Sequence, residues 1–223
     1  MCGRFTLTVD PIELQEAFYW VDFGNADLSP RYNIAPSQGV PVVPNDGKNT
    51  LDFYTWGLVP HWAKDPKIGY RMINARSETL TEKPSFRNPY KRHRCIVLAD
   101  GFYEWQKQPD QKIKIPTYIR LKDGNPFAFA GLWENWFSTD GSQILSTTII
   151  TTKPNDLLEN IHNRMPVILE KDSYDTWLKP GEVDSEILNP LLIPYPSDLM
   201  EAYPVSRFVN SPGNDTPECI RPN

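Results

Sequence analysis

The chain has 223 residues, of which 39% are hydrophobic, and its formal net charge at pH 7 is −5. This apolar fraction can fill a core, but no stretch is long and apolar enough to predict a membrane span. The 22 prolines favour turns and short strands over long helices. Because no charged-then-apolar leader is seen, we expect a cytoplasmic protein, associated with the nucleoid if the source is bacterial.

The cysteines are Cys2, Cys95 and Cys219, and the sequence contains no Cys-x-x-Cys or His-x-x-x-His pair. This spacing predicts reduced thiols rather than a disulfide framework or a zinc site. We therefore expect neither a metal nor a cofactor.

The first functional candidate is Cys2, which follows Met1. Aminopeptidases remove an initiator methionine that precedes a small residue, so we expect the mature chain to begin at Cys2. Its α-amine and thiol, with ordinary pKa values of roughly 8 and 8.5, would then be adjacent nucleophiles. The thiol could attack an acyl carbon. Alternatively, the amine could capture an aldehyde as a Schiff base that the thiol closes into a thiazolidine. The plain alternative is an inert, frayed terminus.

The segment after the terminus predicts one helix and two strands. Asp10-Pro11-Ile12-Glu13 supplies an N-cap, a proline at the first helical position and an acid at the third. Arg31 to Pro36 is expected to be a loop. Val40 to Val43 and Leu51 to Tyr54 predict strands that are joined by a turn.

A basic segment runs from His61 to Arg94 and holds nine Lys or Arg residues against three acids. It follows the aromatic, turn-rich stretch that ends at Trp62. Cations beside an aromatic ring suit single-stranded nucleic acid, because phosphates bind the cations and bases stack on the ring. The alternatives are that the cations form an ordinary solvated face and that the tryptophans belong to the core.

Within this segment, Asn74 could cap a short following helix or hold a nucleophile or substrate oxygen.

From Cys95 onward the pattern is strongly β. The predicted strands are Cys95 to Ala99, Phe102 to Lys107, Ile113 to Leu121, Phe127 to Trp133 and Ile144 to Thr152, with a turn at Asp100-Gly101. An antiparallel meander of this kind predicts a curved sheet or partial barrel. Glu104 lies between two aromatic residues. If buried, its carboxyl would have a raised pKa and could shuttle protons; if solvated, it is an ordinary surface acid.

The last part of the chain predicts a helix from Pro154 to Ile161 and a final strand from Tyr203 to Asn210. His162 would then lie at the C-terminus of the helix, where the helix dipole favours the protonated imidazole. No linker or repeat is present, so we expect one α+β domain over residues 1–223, with short helices around a barrel-like core.

Six motifs occur in an order that resembles the SOS response-associated peptidase (SRAP) family. They are Met1 to Phe5, Arg31 to Pro36, Trp56-Gly57 with Ile73 to Thr79, Asp100 to Trp105, His162 to Pro166 and Pro204 to Ser206. The resemblance implies a compact α+β fold with an antiparallel β-barrel-like core and a DNA-binding groove. It also implies that the protein binds single-stranded DNA containing an abasic site, and we expect it to be a monomer. The family crosslinks reversibly to the sugar through a thiazolidine and thereby shields the lesion.

The resemblance also implies roles for individual residues. Cys2, Asn74, Glu104 and His162 correspond to the catalytic residues, and Arg4 and Arg76 to arginines that bind the DNA backbone. We add Trp62 and Arg164 as DNA-binding candidates. A Schiff base at the sugar would permit lyase activity, and the family name implies peptidase activity that removes Met1.

The sequence departs from the family pattern at two positions, and two rival functions remain open. Ala63 stands where family members often carry a bulky residue that wedges beside the lesion, and Asn163 replaces an acid that often follows the histidine. One rival function is acyl transfer by an N-terminal cysteine, as in class II glutamine amidotransferases. The other is non-covalent single-strand binding, in which Cys2 has no role.

Overall fold

The computed structural model describes residues 2–108 and 111–223. The strands are β1 (Phe5–Leu7), β2 (Arg31–Ile34), β3 (Gly39–Pro44), β4 (Asp52–Trp56), β5 (Asn74–Arg76), β6 (Arg94–Ala99), β7 (Gly101–Gln108), β8 (Gln111–Leu121), β9 (Phe127–Phe137), β10 (Gln143–Thr152), β11 (Met165–Pro166), β12 (Ile168–Leu169) and β13 (Met200–Pro204). The helices are α1 (Pro11–Ala17), α2 (Arg87–Arg92), α3 (Tyr174–Trp177) and α4 (Ser185–Leu188). Short 3₁₀ turns lie at Pro66–Arg71, Ser77–Thr79, Lys171–Ser173, Asn189–Leu191, Ser197–Leu199, Arg207–Asn210 and Pro217–Ile220. The predicted removal of Met1 concerns a residue outside the described ranges.

Five strands close into a barrel. Each of β4–β3, β3–β6, β6–β9 and β9–β10 is antiparallel, and a parallel pairing of β10 with β4 completes the ring. Strand β5 also runs parallel to β10. The predicted barrel-like α+β fold is therefore confirmed, although two of its pairings are parallel rather than antiparallel. Closing the ring removes the unpaired edges that an open sheet would leave.

A second sheet covers the barrel, in the order β13-β8-β7-β1-β2, with every pair antiparallel. Strands β6 and β7 are consecutive in sequence but belong to different sheets, so the predicted meander breaks between them. Strand β1 lies inside this sheet, between β7 and β2. Strand β1 is therefore held on both sides by backbone hydrogen bonds.

Phe5 joins β1 to the barrel. It is fully buried, and its ring centroid lies 5.2 Å from that of Trp56 and 5.8 Å from that of Phe129. Burying a phenylalanine side chain contributes about 2–3 kcal/mol. The segment that carries Cys2 is thus fixed by core packing rather than by loop contacts.

Asp100 fixes the chain between β1 and α1. Its carboxylate accepts hydrogen bonds from the hydroxyls of Thr6 (2.5 Å) and Thr8 (2.7 Å). Gly101 begins β7 rather than forming the predicted turn. A Cβ at Gly101 would lie 2.2 Å from the Tyr118 hydroxyl, so only glycine fits beside that ring.

The first helix begins as predicted, because the Asp10 side chain accepts a hydrogen bond from Ile12 N at 2.8 Å and Pro11 occupies the first turn. The loop predicted at Arg31 to Pro36 was wrong, because β2 occupies residues 31–34. The last predicted strand ends early, at Pro204, and Arg207–Asn210 forms a 3₁₀ turn.

The helix predicted from Pro154 to Ile161 was also wrong, because the segment forms turns. The Asn155 side chain accepts a hydrogen bond from Leu158 N at 3.0 Å and donates one to Tyr195 O at 2.7 Å. The backbone bonds of this segment, from Glu159 N to Asn155 O and from His162 N to Leu158 O, form separate turns rather than a continuous helix. Among the described residues, no helix is long and apolar enough to cross a membrane.

Candidate active site and nucleic-acid interface

Cys2 lies just before β1 and is fully buried. The backbone ladder continues past the strand, because Tyr103 N donates to Arg4 O at 3.0 Å. Extending that antiparallel register by two residues brings Cys2 and Gly3 beside Glu104 and its neighbour on β7. Burial, and then the charge of Glu104, raise the pKa of the Cys2 thiol. The sulfur is therefore protonated at neutral pH.

Glu104 is the buried acid of this region, and its side chain is only 3% exposed. It lies on β7 opposite Thr117 of β8. Burial raises the pKa of the Glu104 carboxyl to about 7, although the charge of Lys114 acts in the opposite direction. The sequence left open whether Glu104 is buried or solvated, and the structure shows that it is buried. At neutral pH this carboxyl exists in both protonation states.

His162 approaches Glu104, with 4.0 Å between Nε2 and Oε2. Its Nδ1 lies 3.1 Å from Arg164 N and 3.2 Å from Arg164 O, so the turn holds the ring through Nδ1 and leaves Nε2 facing the carboxyl. Burial lowers the pKa of His162, and Lys114 and Lys107 lower it further. The predicted helix dipole that would favour the charged form is missing, because no helix ends at this residue.

Asn74 lies in β5 rather than capping a helix, and it pairs with Ile149 of β10. Its Nδ2 donates to Ile73 O at 2.9 Å. Its Oδ1 is buried and accepts no hydrogen bond within the part of the chain that the structure describes. A buried amide oxygen of this kind is an acceptor available to a bound group.

Arg4 is largely buried and makes internal contacts. Its Nη1 donates to Asn33 Oδ1 at 2.6 Å and to Val209 O at 2.9 Å, and its guanidinium carbon lies 5.7 Å from the Trp105 ring centroid. Burial lowers its pKa. These contacts tie the terminus to β2 and to the C-terminal segment.

Arg164 is held in a similar way. Its two terminal nitrogens bond both oxygens of Glu78, at 2.6 and 2.9 Å, and Nη2 also donates to Thr151 O at 2.5 Å. Thr151 pairs with Arg76 in the parallel β5–β10 ladder. Arg164 therefore connects the turn that carries His162 to the strand that carries Asn74.

Arg76 and Trp62 face the solvent, and Trp62 is 50% exposed. Of the nine cations in the basic segment, Arg94 is fully buried and the other eight are exposed. Arg94 donates to Trp177 O at 2.8 Å and to Lys179 O at 2.5 Å, so it holds the fold together rather than contributing to the surface.

Sequence reasoning missed Glu134, which anchors the loop that carries Trp62. This carboxylate is 2% exposed. Its Oε2 accepts from His61 N and lies 2.8 Å from His61 Nδ1, while its Oε1 lies 2.9 Å from His93 Nδ1. Trp136 Nε1 adds a bond to Ala63 O at 2.7 Å. The sequence could have indicated Glu134 in the same way as Glu104, because both acids lie among aromatic residues, in or just after a predicted strand.

No group of three or more His, Cys, Asp or Glu side chains within residues 2–108 and 111–223 is arranged to hold a metal ion. The acids and histidines of this region instead form two separate groups. One joins Glu104 to His162, and the other joins Glu134 to His61 and His93.

Fold and site together define a β-barrel protein in which the buried Cys2 adjoins a carboxyl–imidazole pair. The family model for the SOS response associated peptidase (SRAP) matches residues 1–212. The chain therefore belongs to the SRAP family.

The chain is 54% identical over 222 residues to the abasic site processing protein YoqW of Bacillus subtilis, with 99% of each chain covered. It is 32% identical to the abasic site processing protein HMCES of Xenopus tropicalis, covering 99% of this chain and 78% of that protein. A crystal structure of a Bacteroides thetaiotaomicron protein superposes with a TM-score of 0.88 at 28% identity, with both chains fully covered.

Proposed function

We propose that this protein processes abasic sites by binding single-stranded DNA and linking covalently to the ring-opened sugar through Cys2. The proposal is carried by the continuation of β1, whose register with β7 brings Cys2 beside Glu104. The Glu104 carboxyl in turn lies 4.0 Å from His162 Nε2. The names of its relatives supply the substrate class. The amino group becomes available once Met1 has been removed, by the chain itself or by an aminopeptidase.

The chemistry proceeds in two bond-forming steps. His162 takes the proton of the sugar C1′ hydroxyl while the ring opens and returns a proton to the ring oxygen. The Cys2 amine then adds to the aldehyde, and loss of one water gives an imine. Finally the thiol adds to the imine carbon while its proton passes through Glu104 to the nitrogen, which gives a thiazolidine. No oxidant or reductant is needed.

The state of the thiol favours this order of events. Because burial keeps the Cys2 sulfur protonated, it needs a nearby base when the ring closes. Glu104, with a pKa of about 7, can accept that proton and release it again at neutral pH. The same proton transfers in reverse would open the adduct, and an imine that escapes closure would allow β-elimination and a weak lyase activity.

The strand is held by residues around this centre. Arg76 and Trp62 are exposed, so they can bind a phosphate and stack on a base. Arg4 and Arg164 are assigned to the wall of the groove, and their guanidinium groups also bond other parts of the protein. Asn74 offers its buried Oδ1 to the substrate or to the Cys2 backbone.

The test is mass spectrometry of the mature protein after incubation with an abasic single strand. The expected adduct has the summed mass of protein and DNA minus one water, and it survives heating. Cys2→Ser retains the amine but loses the thiol, so it should give only a heat-labile imine that borohydride traps. Cys219→Ser, which removes another buried thiol, should behave as the parent.

Three outcomes would replace the proposal. A heat-stable adduct formed by Cys2→Ala would move the nucleophile elsewhere. Equal affinity for intact and abasic strands without any adduct would favour the non-covalent binder, whereas glutaminase activity that depends on Cys2 would favour acyl transfer.

A further inference from the structure

A second basic surface lies beside His162 and outside the basic segment. Strands β7 and β8 meet the turn that carries His162 around a cavity of about 300 Å³. Trp105 and Lys107 of β7 and Lys114 of β8 line one side, and Glu159 and His162 lie on the other. We refer to this cavity as the hairpin pocket. Its volume is at the lower end of the range in which proteins hold small ligand groups.

The hairpin pocket has a fixed shape, because its two sides are bonded to each other. Gln106 Nε2 donates to Asn160 O at 3.0 Å, and Gln106 pairs with Ile115 across the β7–β8 ladder. Trp105 is held by a bond from Nε1 to Asn210 Oδ1 at 2.8 Å. The lysines therefore project from a positioned frame next to the candidate catalytic pair.

The charges in the pocket favour an anion. Lys107 and Lys114 are both exposed, and each lowers the pKa of His162, so their ammonium groups act on the catalytic imidazole. Glu159 is the acid among the described residues that line the cavity, which leaves a net positive charge. Trp105 adds an apolar surface for a sugar or a base.

We propose that Lys107 and Lys114 bind a backbone phosphate of the strand next to the lesion, on the His162 side. The proposal rests on the proposed function in one respect, because it takes single-stranded DNA as the occupant. This phosphate site belongs to the second sheet, whereas Arg76 lies on a strand paired to the barrel. A strand held at both places would cross the centre formed by Cys2, Glu104 and His162.

The experiment measures non-covalent binding, so that the fate of Cys2 does not affect it. The Cys2→Ser protein is titrated with a single strand that carries a tetrahydrofuran abasic analogue, which has no aldehyde, at several salt concentrations. Each phosphate contact on a single strand contributes about 0.7 to the slope of log affinity against log salt. Because the two lysines are proposed to share one phosphate, Lys107→Gln with Lys114→Gln should lower the slope by about 0.7 and each single change by less. At about 50 mM salt, the double change should weaken binding roughly five- to tenfold.

Two matched variants test whether the effect is local. Lys122 lies just beyond the other end of β8, about 25 Å along the strand from Lys114 at roughly 3.3 Å per residue. Lys122→Gln should leave the slope unchanged, whereas Glu159→Gln should tighten binding because it removes the opposing acid.

A methylphosphonate scan identifies the phosphate itself. One neutral linkage beside the abasic analogue should weaken binding by the parent protein, and the same linkage should have no further effect in the double lysine variant. A double variant with the parent's salt slope, or a Lys122→Gln slope that falls equally, would overturn the proposal. Failure to form an adduct with aldehyde-bearing DNA is measured separately, and it would count against the proposed function alone.

Discussion

His162 and Glu104 face each other across 4.0 Å, and the surrounding protein raises the proton affinity of the carboxyl and lowers that of the imidazole. Burial raises the pKa of Glu104 to about 7 and lowers the pKa of His162. Near neutral pH, a proton can therefore pass between either group and a bound substrate at little energetic cost. This relationship connects the fold to the proposed chemistry, because both shifts arise from burial.

Glu104→Gln should stabilise the fold while slowing adduct formation. The raised pKa means that the native state binds more protons than the unfolded chain between about pH 4.5 and 7, so Glu104 lowers the stability progressively across that window. Glutamine removes this penalty, which is worth up to about 3 kcal/mol at pH 8. The adduct rate should fall by about 10²- to 10⁴-fold. Chemical unfolding at pH 4.5 and pH 8 checks the stability, and a stability difference between parent and variant that is independent of pH would contradict the buried-acid assignment.

His162→Ala should slow the reaction with a natural abasic site much more than with an open-chain aldehyde. The natural sugar must open before the amine can attack, and His162 is assigned to that opening. A strand that carries an open-chain aldehyde at the same position bypasses the step. Rates with the two substrates are compared in the parent and in His162→Ala. Equal losses on both substrates would show that His162 acts after the sugar has opened.

Glu134→Gln should loosen the loop that carries Trp62. Burial raises the pKa of Glu134, but the hydrogen bonds from His93 and His61 outweigh this effect and leave the pKa below its ordinary value. The anchor therefore stabilises the fold above the pKa of an unfolded glutamate and weakens as the pH falls through the native pKa. Loss of its charged hydrogen bonds should cost about 1.5–3 kcal/mol.

Hydrogen exchange locates the effect of this change. Protection should fall at His61 N, which donates to Glu134, and remain at Phe5 in β1. Glu182→Gln is a suitable control, because that acid makes exposed salt bridges to Lys91 and Arg92. Unchanged exchange at His61 in Glu134→Gln would show that the loop is held by its other contacts.

Arg94→Met and Arg87→Gln should separate stability from DNA binding within the basic segment. Arg94 is buried against backbone carbonyls, so its replacement should destabilise the fold by several kcal/mol through unpaired acceptors. Arg87 is exposed, so its replacement should leave stability within about 0.5 kcal/mol. If Arg87 contacts the backbone of the strand, its replacement should also lower the salt slope by about 0.7. Thermal melts and salt titrations of both variants provide the test.

Local patterns predicted the elements that depend on neighbouring residues. The Asp10 cap, the paired strands β3 and β4, and the long strands from β6 to β10 follow from capping chemistry and from residues with high β-propensity. The incorrect predictions lie where contacts with distant segments accompany the local structure. The region after Pro154 forms turns, and its Asn155 side chain bonds Tyr195 of a distant segment, while β2 pairs with β1.

The sequence alone determined the family resemblance, the barrel-like class of the fold and the identities of Cys2, Asn74, Glu104 and His162 as candidates, because residue types and their order are properties of the chain itself. Only the tertiary structure decided which groups are buried together. It separated Arg94 from the exposed cations, found the Glu134 anchor and set Glu104 4.0 Å from His162. Proton affinity depends on burial and on nearby charges, and both depend on segments that lie far apart in sequence.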